Sequence, residues 1–142
     1  TSQVEVLALG QASARSVANA YTRIAAGSDD ASVRQRLSGI ALHGEPRMVL
    51  RPHLEILHDQ VQAVHGATWG RLPEDALFYA RQRGLDDATA RALIIEGMAR
   101  AVLERCLDGS DGPDVLTPWL DGGWLSQAIP RHLNTLPENT HG

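Results

Sequence analysis

The first half of the chain, residues 1–72, consists of short runs in which apolar and polar side chains alternate. Such runs occupy 3–9, 47–50, 53–57 and 60–64, and glycine, proline or aspartate separates them. Alternation with a period of two is typical of half-buried strands. The pattern therefore predicts a β-rich half, and a sandwich, a barrel and a β-helix all fit the spacing of the runs.

Three further segments of this half carry weaker patterns. Residues 34–42 mix polar and apolar positions, with Leu37, Ile40 and Leu42 as candidates for the core. The alanine content of 13–21 is compatible with a helix. The run at 60–64 is followed by His-Gly-Ala-Thr, and glycine is the residue best suited to a turn. We therefore expect the fifth run to end in a turn at His65.

From Pro73 onward the apolar period changes to that of helices. Acidic residues follow the proline and Gly84 closes the segment, which predicts a helix over 74–83. Asp86 is a candidate N-cap for a second helix over 87–107, along which apolar residues recur at steps of three and four. The two segments together predict a helical hairpin.

The last segment, residues 108–142, is rich in glycine and proline. This punctuation predicts an irregular tail without long elements. The segment also carries many apolar residues, Trp119 and Trp124 among them, so we expect it to pack in part against its own domain or against a partner. The predicted organisation is therefore a β unit over 1–72, a helical segment over 73–107 and the tail.

Composition and charge narrow the functional classes. The 142 residues have a net charge of −4, and all 13 basic residues are arginine. An acidic chain gives no general indication of binding to nucleic acid or to an anionic membrane. Cys106 is the single cysteine, so no disulfide can form within the chain. Because no apolar run approaches the length of a membrane-spanning helix, the expected setting is the cytoplasm.

Histidine and cysteine are the side chains with candidate metal chemistry. Four histidines lie close together in the sequence, at His43, His53, His58 and His65. Their spacing matches no standard zinc motif, so scattered histidines on turns or surfaces are the simpler interpretation. Cys106 lies on the apolar side of the second predicted helix, which favours a buried structural thiol.

Three segments occur in an order that points to a known family. They are "RPHLEI" (51–56), "HGATWGRLPEDALFYARQRGL" (65–85) and "ARALIIEGMARAVLE" (90–104). Together they resemble the C-terminal part of the SufB/SufD family, the scaffold subunits of the Suf iron–sulfur cluster assembly machinery. The resemblance covers roughly residues 32–107. Gly66 follows His65 here, as in SufD, so the chain is SufD-like.

The resemblance implies a fold, partners and site residues. The fold would be a short right-handed parallel β-helix followed by the helical hairpin and the tail. His65 would lie beside an iron–sulfur cluster, as a possible metal ligand, with the cluster held transiently at a subunit interface rather than stably by this chain. The partners would be a SufC-type ATPase and a SufB/SufD-type subunit or a second copy of the chain. The ATPase-docking residues on the helical segment would be Leu77, Phe78, Tyr79, Arg83, Leu93 and Ile94.

Three functional hypotheses follow. The first is a non-enzymatic scaffold or accessory subunit of iron–sulfur cluster assembly. The second is a degenerate structural module of the same fold that dimerises but handles no cluster. Ala63, where many SufD sequences carry a cysteine, and the single Cys106 favour this second hypothesis. The third, ranked last, is a mononuclear metal enzyme that uses the four histidines.

Overall fold

A computed structural model describes residues 1–107 and 117–134. The chain divides into two compact units, residues 1–71 and residues 72–142. We call them the strand unit and the helical unit and treat each by itself.

The strand unit contains five strands that alternate between two parallel sheets. They are β1 (Ser2–Ala12), β2 (Arg15–Ile24), β3 (Ala31–Gly44), β4 (Arg47–Ile56) and β5 (Val61–Arg71). One sheet has the order β1-β3-β5 and the other pairs β2 with β4. The prediction of a β-rich first half is confirmed, and the described strands close no barrel.

Strands that pair are far apart in the sequence but nearly constant in their offset. Ser2 pairs with Val33, Arg15 with Arg47 and Ala31 with Val61, so the separation in residue number hardly changes from one pairing to the next. The chain therefore repeats a strand–turn–strand unit at an almost regular interval. One corner is very tight, because a Cβ at Gly44 (φ +70°) would lie 2.8 Å from the Cα of Ala12. Only glycine fits that corner without strain.

The core of the strand unit lies between the two sheets. The inward side chains of β3 include Val33, Leu37 and Ala41, and β2 contributes Ala20 and Ile24; all five are buried. Side chains alternate across a strand, so the arginines between the core positions of β3 point outward.

A glutamine lies among these apolar residues. Gln35 is 1% exposed, and its Nε2 donates to the carbonyl oxygen of Ala20 at 2.8 Å, to Thr22 Oγ1 at 3.2 Å and to the carbonyl oxygen of His53 at 3.3 Å. A buried amide is tolerated because it is hydrogen-bonded. Gln35 thus ties the central strand of one sheet to both strands of the other.

Three local predictions in this unit are wrong. Residues 13–21 lie largely in β2 and are not helical, because β2 pairs with β4 along its whole length and places its alanines inward. The two runs on either side of Pro52 are one strand. Pro52 is tolerated there because β4 pairs with β2 alone among the described strands and is therefore an edge strand. His-Gly-Ala-Thr is no turn either: β5 continues to Arg71, and Gly66 does not adopt a positive φ.

The helical unit begins with the two helices that the sequence predicts, α1 (Glu74–Gln82) and α2 (Asp87–Leu107). Pro73 precedes α1, and Gly84 ends it with a φ of +85°. The backbone N–H of Thr89 donates to Asp86 Oδ1 at 2.9 Å, which confirms Asp86 as the cap of α2.

The described part of the tail is also helical. It contains α3 (Thr117–Asp121) and α4 (Trp124–Asn134), so the prediction of an irregular tail is wrong for these residues. Pro130 does not prevent α4, since packing on α2 stabilises the helix and Leu125 is buried. Residues 108–116 and 135–142, and the side chains of Cys106 and Trp119, lie outside what the structure describes. None of the described helices has the length and apolar character needed to cross a bilayer.

Candidate functional site

His65 lies on β5, one of the two edge strands of the three-stranded sheet. It pairs with Gln35 in the parallel register, and paired side chains share one face of a sheet. Because Gln35 is buried between the sheets, His65 belongs to the inner face of β5. It is nevertheless exposed, since β4 is the last described strand of the second sheet and no strand of that sheet follows β5. The inner face of the sheet is therefore open at His65.

An apolar cleft continues along the same strand. It has a volume of about 340 Å³, and its walls come from Met48 and Leu50 of β4 and from Ala67 and Trp69 of β5. Trp69 pairs with Gly39 in the register and is 61% exposed. A Cβ added at Gly39 would lie 3.4 Å from the Trp69 ring. Sequence reasoning missed this cleft because it ended the strand at His65. Ala67 and Trp69, which continue beyond His65 at every second position, are the signal that would have revealed it.

The other three candidate histidines lie elsewhere in the strand unit. His53 stacks on Tyr21, with ring centroids 4.4 Å apart and planes 11° from parallel. His58 Nε2 lies 2.6 Å from Asp29 Oδ1, and His43 is exposed at the end of β3. Within residues 1–107 and 117–134, no three His, Cys, Asp or Glu side chains are grouped so as to hold a metal ion. The structure thus does not bring the four histidines together.

The helical unit exposes large apolar side chains. Phe78 and Tyr79 on α1 are 64% and 59% exposed, and Leu93 on α2 is 57% exposed. Of the other residues predicted to dock an ATPase, Leu77 is buried and Ile94 is half-buried. The accessible part of the predicted surface is therefore Phe78, Tyr79 and Leu93, which we call the helical apolar surface.

Arg83 contributes to this surface through Tyr79. Its guanidinium carbon lies 4.6 Å from the centroid of the Tyr79 ring, and its Nη2 donates to the Tyr79 hydroxyl. A cation over an aromatic face is favourable, most of all where water is excluded. Arg83 therefore holds the Tyr79 ring in place and adds a positive charge at the edge of the helical apolar surface.

The joint between α1 and α2 is held by two aspartates. Asp87 accepts hydrogen bonds from Arg91, at 2.6 Å, and from Arg81. These two guanidinium groups, Arg91 first, hold the pKa of the Asp87 carboxyl below its usual value. The backbone N–H of Thr89 and then its hydroxyl lower the pKa of Asp86 in the same way. The Arg81–Asp87 pair across the joint was not predicted from the sequence.

The chain matches one family model and several curated proteins. Residues 1–98 match the model described as SUF system FeS cluster assembly, SufBD core domain. An iron–sulfur cluster assembly SufBD family protein of Synechocystis sp. is 36% identical over 74 residues, 52% of this chain and 16% of the relative. Iron–sulfur cluster assembly protein SufD of Escherichia coli is 40% identical over 58 residues, 41% and 14% of the two chains.

An archaeal relative extends the comparison. An iron–sulfur cluster assembly SufBD family protein of Pyrococcus horikoshii is 34% identical over 65 residues, 46% of this chain and 15% of the relative. The matches cover less than a fifth of the length of each of these three relatives. The family model, in contrast, covers all five strands, α1 and the first half of α2. The chain belongs to the SufBD core-domain family of the SUF system of iron–sulfur cluster assembly.

Proposed function

We propose that this protein acts as a SufD-like scaffold or accessory subunit in iron–sulfur cluster assembly. The match of residues 1–98 to the SufBD core domain carries this proposal, and the relative named SufD supports it. In this role the chain is not an enzyme. It offers one surface to a SufC-type ATPase and another to a SufB/SufD-type subunit or to a second copy of itself.

The strand unit is proposed to be a short right-handed β-helix. Two observations support this: successive strands alternate between two sheets, and every pairing is parallel with nearly the same offset along the chain. In such a fold each turn stacks on the turn before it, so the last turn has an unpaired edge. β5 is that edge strand, which makes it the natural place for pairing with another subunit.

The helical apolar surface is the proposed site for the ATPase. Soluble proteins rarely leave several large apolar side chains of one unit this exposed unless a partner covers them. Full burial of side chains such as Phe78 and Leu93 contributes roughly 1.5–3 kcal/mol each. Arg83 would add a hydrogen-bond donor at the rim, where arginine is common in protein interfaces.

His65 is the proposed group next to the cluster, which is cargo here. A neutral imidazole is a good ligand for iron and can also carry a proton near neutral pH. Since no three ligand-type side chains gather among the described residues, the partner subunit would supply the remaining ligands. The exposed position of His65 on the edge strand is compatible with such a shared site.

A structural module that handles no cluster is the second candidate function. Ala63 favours it, because Ala63 lies two residues before His65 on the same inner face and its methyl group cannot bind iron. This module would keep the fold and dimerise, and His65 would have no role in binding a cluster.

Binding to a SufC-type ATPase from the same organism tests the docking proposal. Isothermal titration should detect binding to the wild-type chain, and the double variant Phe78→Ser/Leu93→Ser should weaken it at least tenfold. The matched control is Leu57→Ser/Val64→Ser, which alters two residues of the strand unit that are 44% and 64% exposed. We expect the control to bind like wild type. A wild-type chain that does not bind, or a control that binds as weakly as the test variant, would contradict the proposal.

A further inference from the structure

We infer that the outer face of the β2–β4 sheet binds an extended acidic segment of a partner protein. Facing positions of the two strands form five successive pairs on this face, which we call the arginine face. The pairs are Arg15–Arg47, Val17–Val49, Asn19–Arg51, Tyr21–His53 and Arg23–Glu55.

The register shows that these residues point away from the core. They alternate along β2 with Ala20 and Ile24, which are buried between the sheets. Val17 is 58% exposed, Val49 is 39% exposed and Tyr21 is 78% exposed. The arginines are exposed as well. The arginine face is therefore accessible along its length.

The charge on this face is opposite to that of the whole chain. It carries four arginines and one glutamate, within a chain of net charge −4. Glu55 lies 3.4 Å from Arg23, and no described carboxylate pairs with Arg15, Arg47 or Arg51. Like charges directly opposite each other destabilise a sheet. The facing Arg15 and Arg47 thus carry a cost that an anionic ligand would relieve.

The spacing of the pairs fits an extended peptide. Successive residues of a strand are about 3.3 Å apart, so alternate positions lie about 6.6 Å apart and the first and third pairs about 13 Å apart. A bound strand has the same repeat. One carboxylate of a bound peptide could therefore reach Arg15 and Arg47, while a second carboxylate four residues along the peptide reaches Arg51. An apolar residue of the peptide midway between the two carboxylates would lie on Val17 and Val49. Guanidinium groups bind carboxylates in a bidentate, charge-assisted geometry.

A polypeptide fits this face better than a nucleic acid does. Single-stranded nucleic acid is bound by aromatic rings that stack on its bases together with a basic groove. Here one face of the Tyr21 ring is already stacked on His53. The pair next to Arg15–Arg47 consists of Val17 and Val49, which offer no ring for a base to stack on. The chain as a whole is negatively charged, which opposes the approach of a polyanion as large as nucleic acid.

Fluorescence anisotropy with a defined probe tests the inference on the full chain. The probe is a labelled serine peptide with valine at its centre and glutamate two residues before and two residues after it. We expect saturable binding that weakens as salt is raised. Replacing both glutamates of the probe by glutamine should abolish the binding.

Two double variants locate the binding. Arg47→Gln/Arg51→Gln should weaken it at least tenfold, whereas Arg34→Gln/Arg36→Gln, with the same loss of charge on the outer face of β3, should change it less than twofold. Circular dichroism would confirm that both variants fold like wild type. Three results would overturn the inference: no binding of the glutamate peptide, equal losses in the two variants, or tighter binding of a single-stranded oligothymidine of the same length. None of these measurements involves the ATPase or a cluster, so they stand or fall separately from the proposed function.

Discussion

The strand unit and the helical unit differ in how far apart in the sequence their contacting residues lie. Each strand pairs with residues of a distant part of the sequence, as Leu37 does with Val6 and Ala67. The helices of the hairpin are bounded by contacts between near neighbours, such as Thr89 with Asp86 and Arg81 with Asp87. Local signals therefore define α1 and α2 well, whereas the bounds of the strands depend on partners that no short window contains.

The largest expected effect is in the core of the strand unit. Leu37 is 0% exposed in the central strand, so Leu37→Ala should lower the free energy of unfolding by roughly 3 kcal/mol through lost burial and a residual cavity. Urea unfolding followed by the fluorescence of Trp69, in a background in which Trp119 and Trp124 are replaced by phenylalanine, measures it. Val64→Ala, at a residue 64% exposed on the edge strand, is the control and should cost well under half as much. Equal costs would mean that β3 is not the centre of the unit.

A second variant tests whether a polar contact joins the two sheets. Gln35→Leu removes the amide that donates to Ala20, Thr22 and His53, and should cost on the order of 1 kcal/mol in the same assay. Gln35 Oε1 is buried and has no hydrogen-bond partner in the described part of the chain. Because burying an unpaired oxygen is unfavourable, its removal offsets some of the cost. Arg34→Leu, next to it on the outer face, should be nearly neutral. A Gln35→Leu variant as stable as wild type would show that this tie contributes nothing.

In the helical unit we expect the stability of α2 to depend on the single hydrogen bond that caps it. Asp86→Ala removes the acceptor of the Thr89 N–H and should lower the melting temperature of the helical signal by a few degrees. Asp86→Asn keeps an acceptor and should melt close to wild type. If Asp86→Asn is destabilised as much as Asp86→Ala, the charge of Asp86 rather than its capping bond stabilises α2.

The smallest expected effect is a loss of stability of the helical unit at acidic pH. The pKa values of Asp86 and Asp87 are lowered in the folded chain, so the unfolded chain binds more protons at low pH. Their stabilisation is complete above the ordinary value near 3.8 and is lost as the pH falls through the lower folded values. Thermal unfolding of wild type and of Asp87→Asn, recorded across this range, should therefore converge at the acid end. Curves that stay equally far apart at every pH would contradict this assignment.

The same contrast explains which parts of the structure the sequence could reveal. Proline, acidic residues and glycine at the ends of α1, and Asp86 before α2, act through neighbouring backbone groups, so those helices were predicted nearly to the residue. β5 was cut short at His65 because glycine permits a turn, and pairing with β3 overrides that preference. α4 was missed for a similar reason, since Pro130 argues locally against a helix that packing on α2 stabilises.

The candidate site divides along the same line. The sequence motifs make His65, Phe78, Tyr79 and Leu93 candidates, and the last three are exposed large apolar side chains. The sequence does not reveal the residues around His65. Only the parallel pairing of β5 with β3 places Gln35 and Trp69 on the same inner face as His65. The arginine face was invisible for the same reason: its paired arginines come from two strands that are separated in the sequence by the whole of β3.

Anaerobic cluster reconstitution tests the role in iron–sulfur assembly most directly. The wild-type chain, His65→Ala and His43→Ala would each be combined with a SufB-type subunit and a SufC-type ATPase, and supplied with iron and sulfide. His43→Ala is the matched control, because His43 is also exposed but lies at the end of β3. We predict that wild type and His43→Ala assemble a cluster seen by absorbance and Mössbauer spectroscopy, and that His65→Ala does not. Equal cluster content in the His65→Ala and wild-type complexes would contradict the assignment of His65.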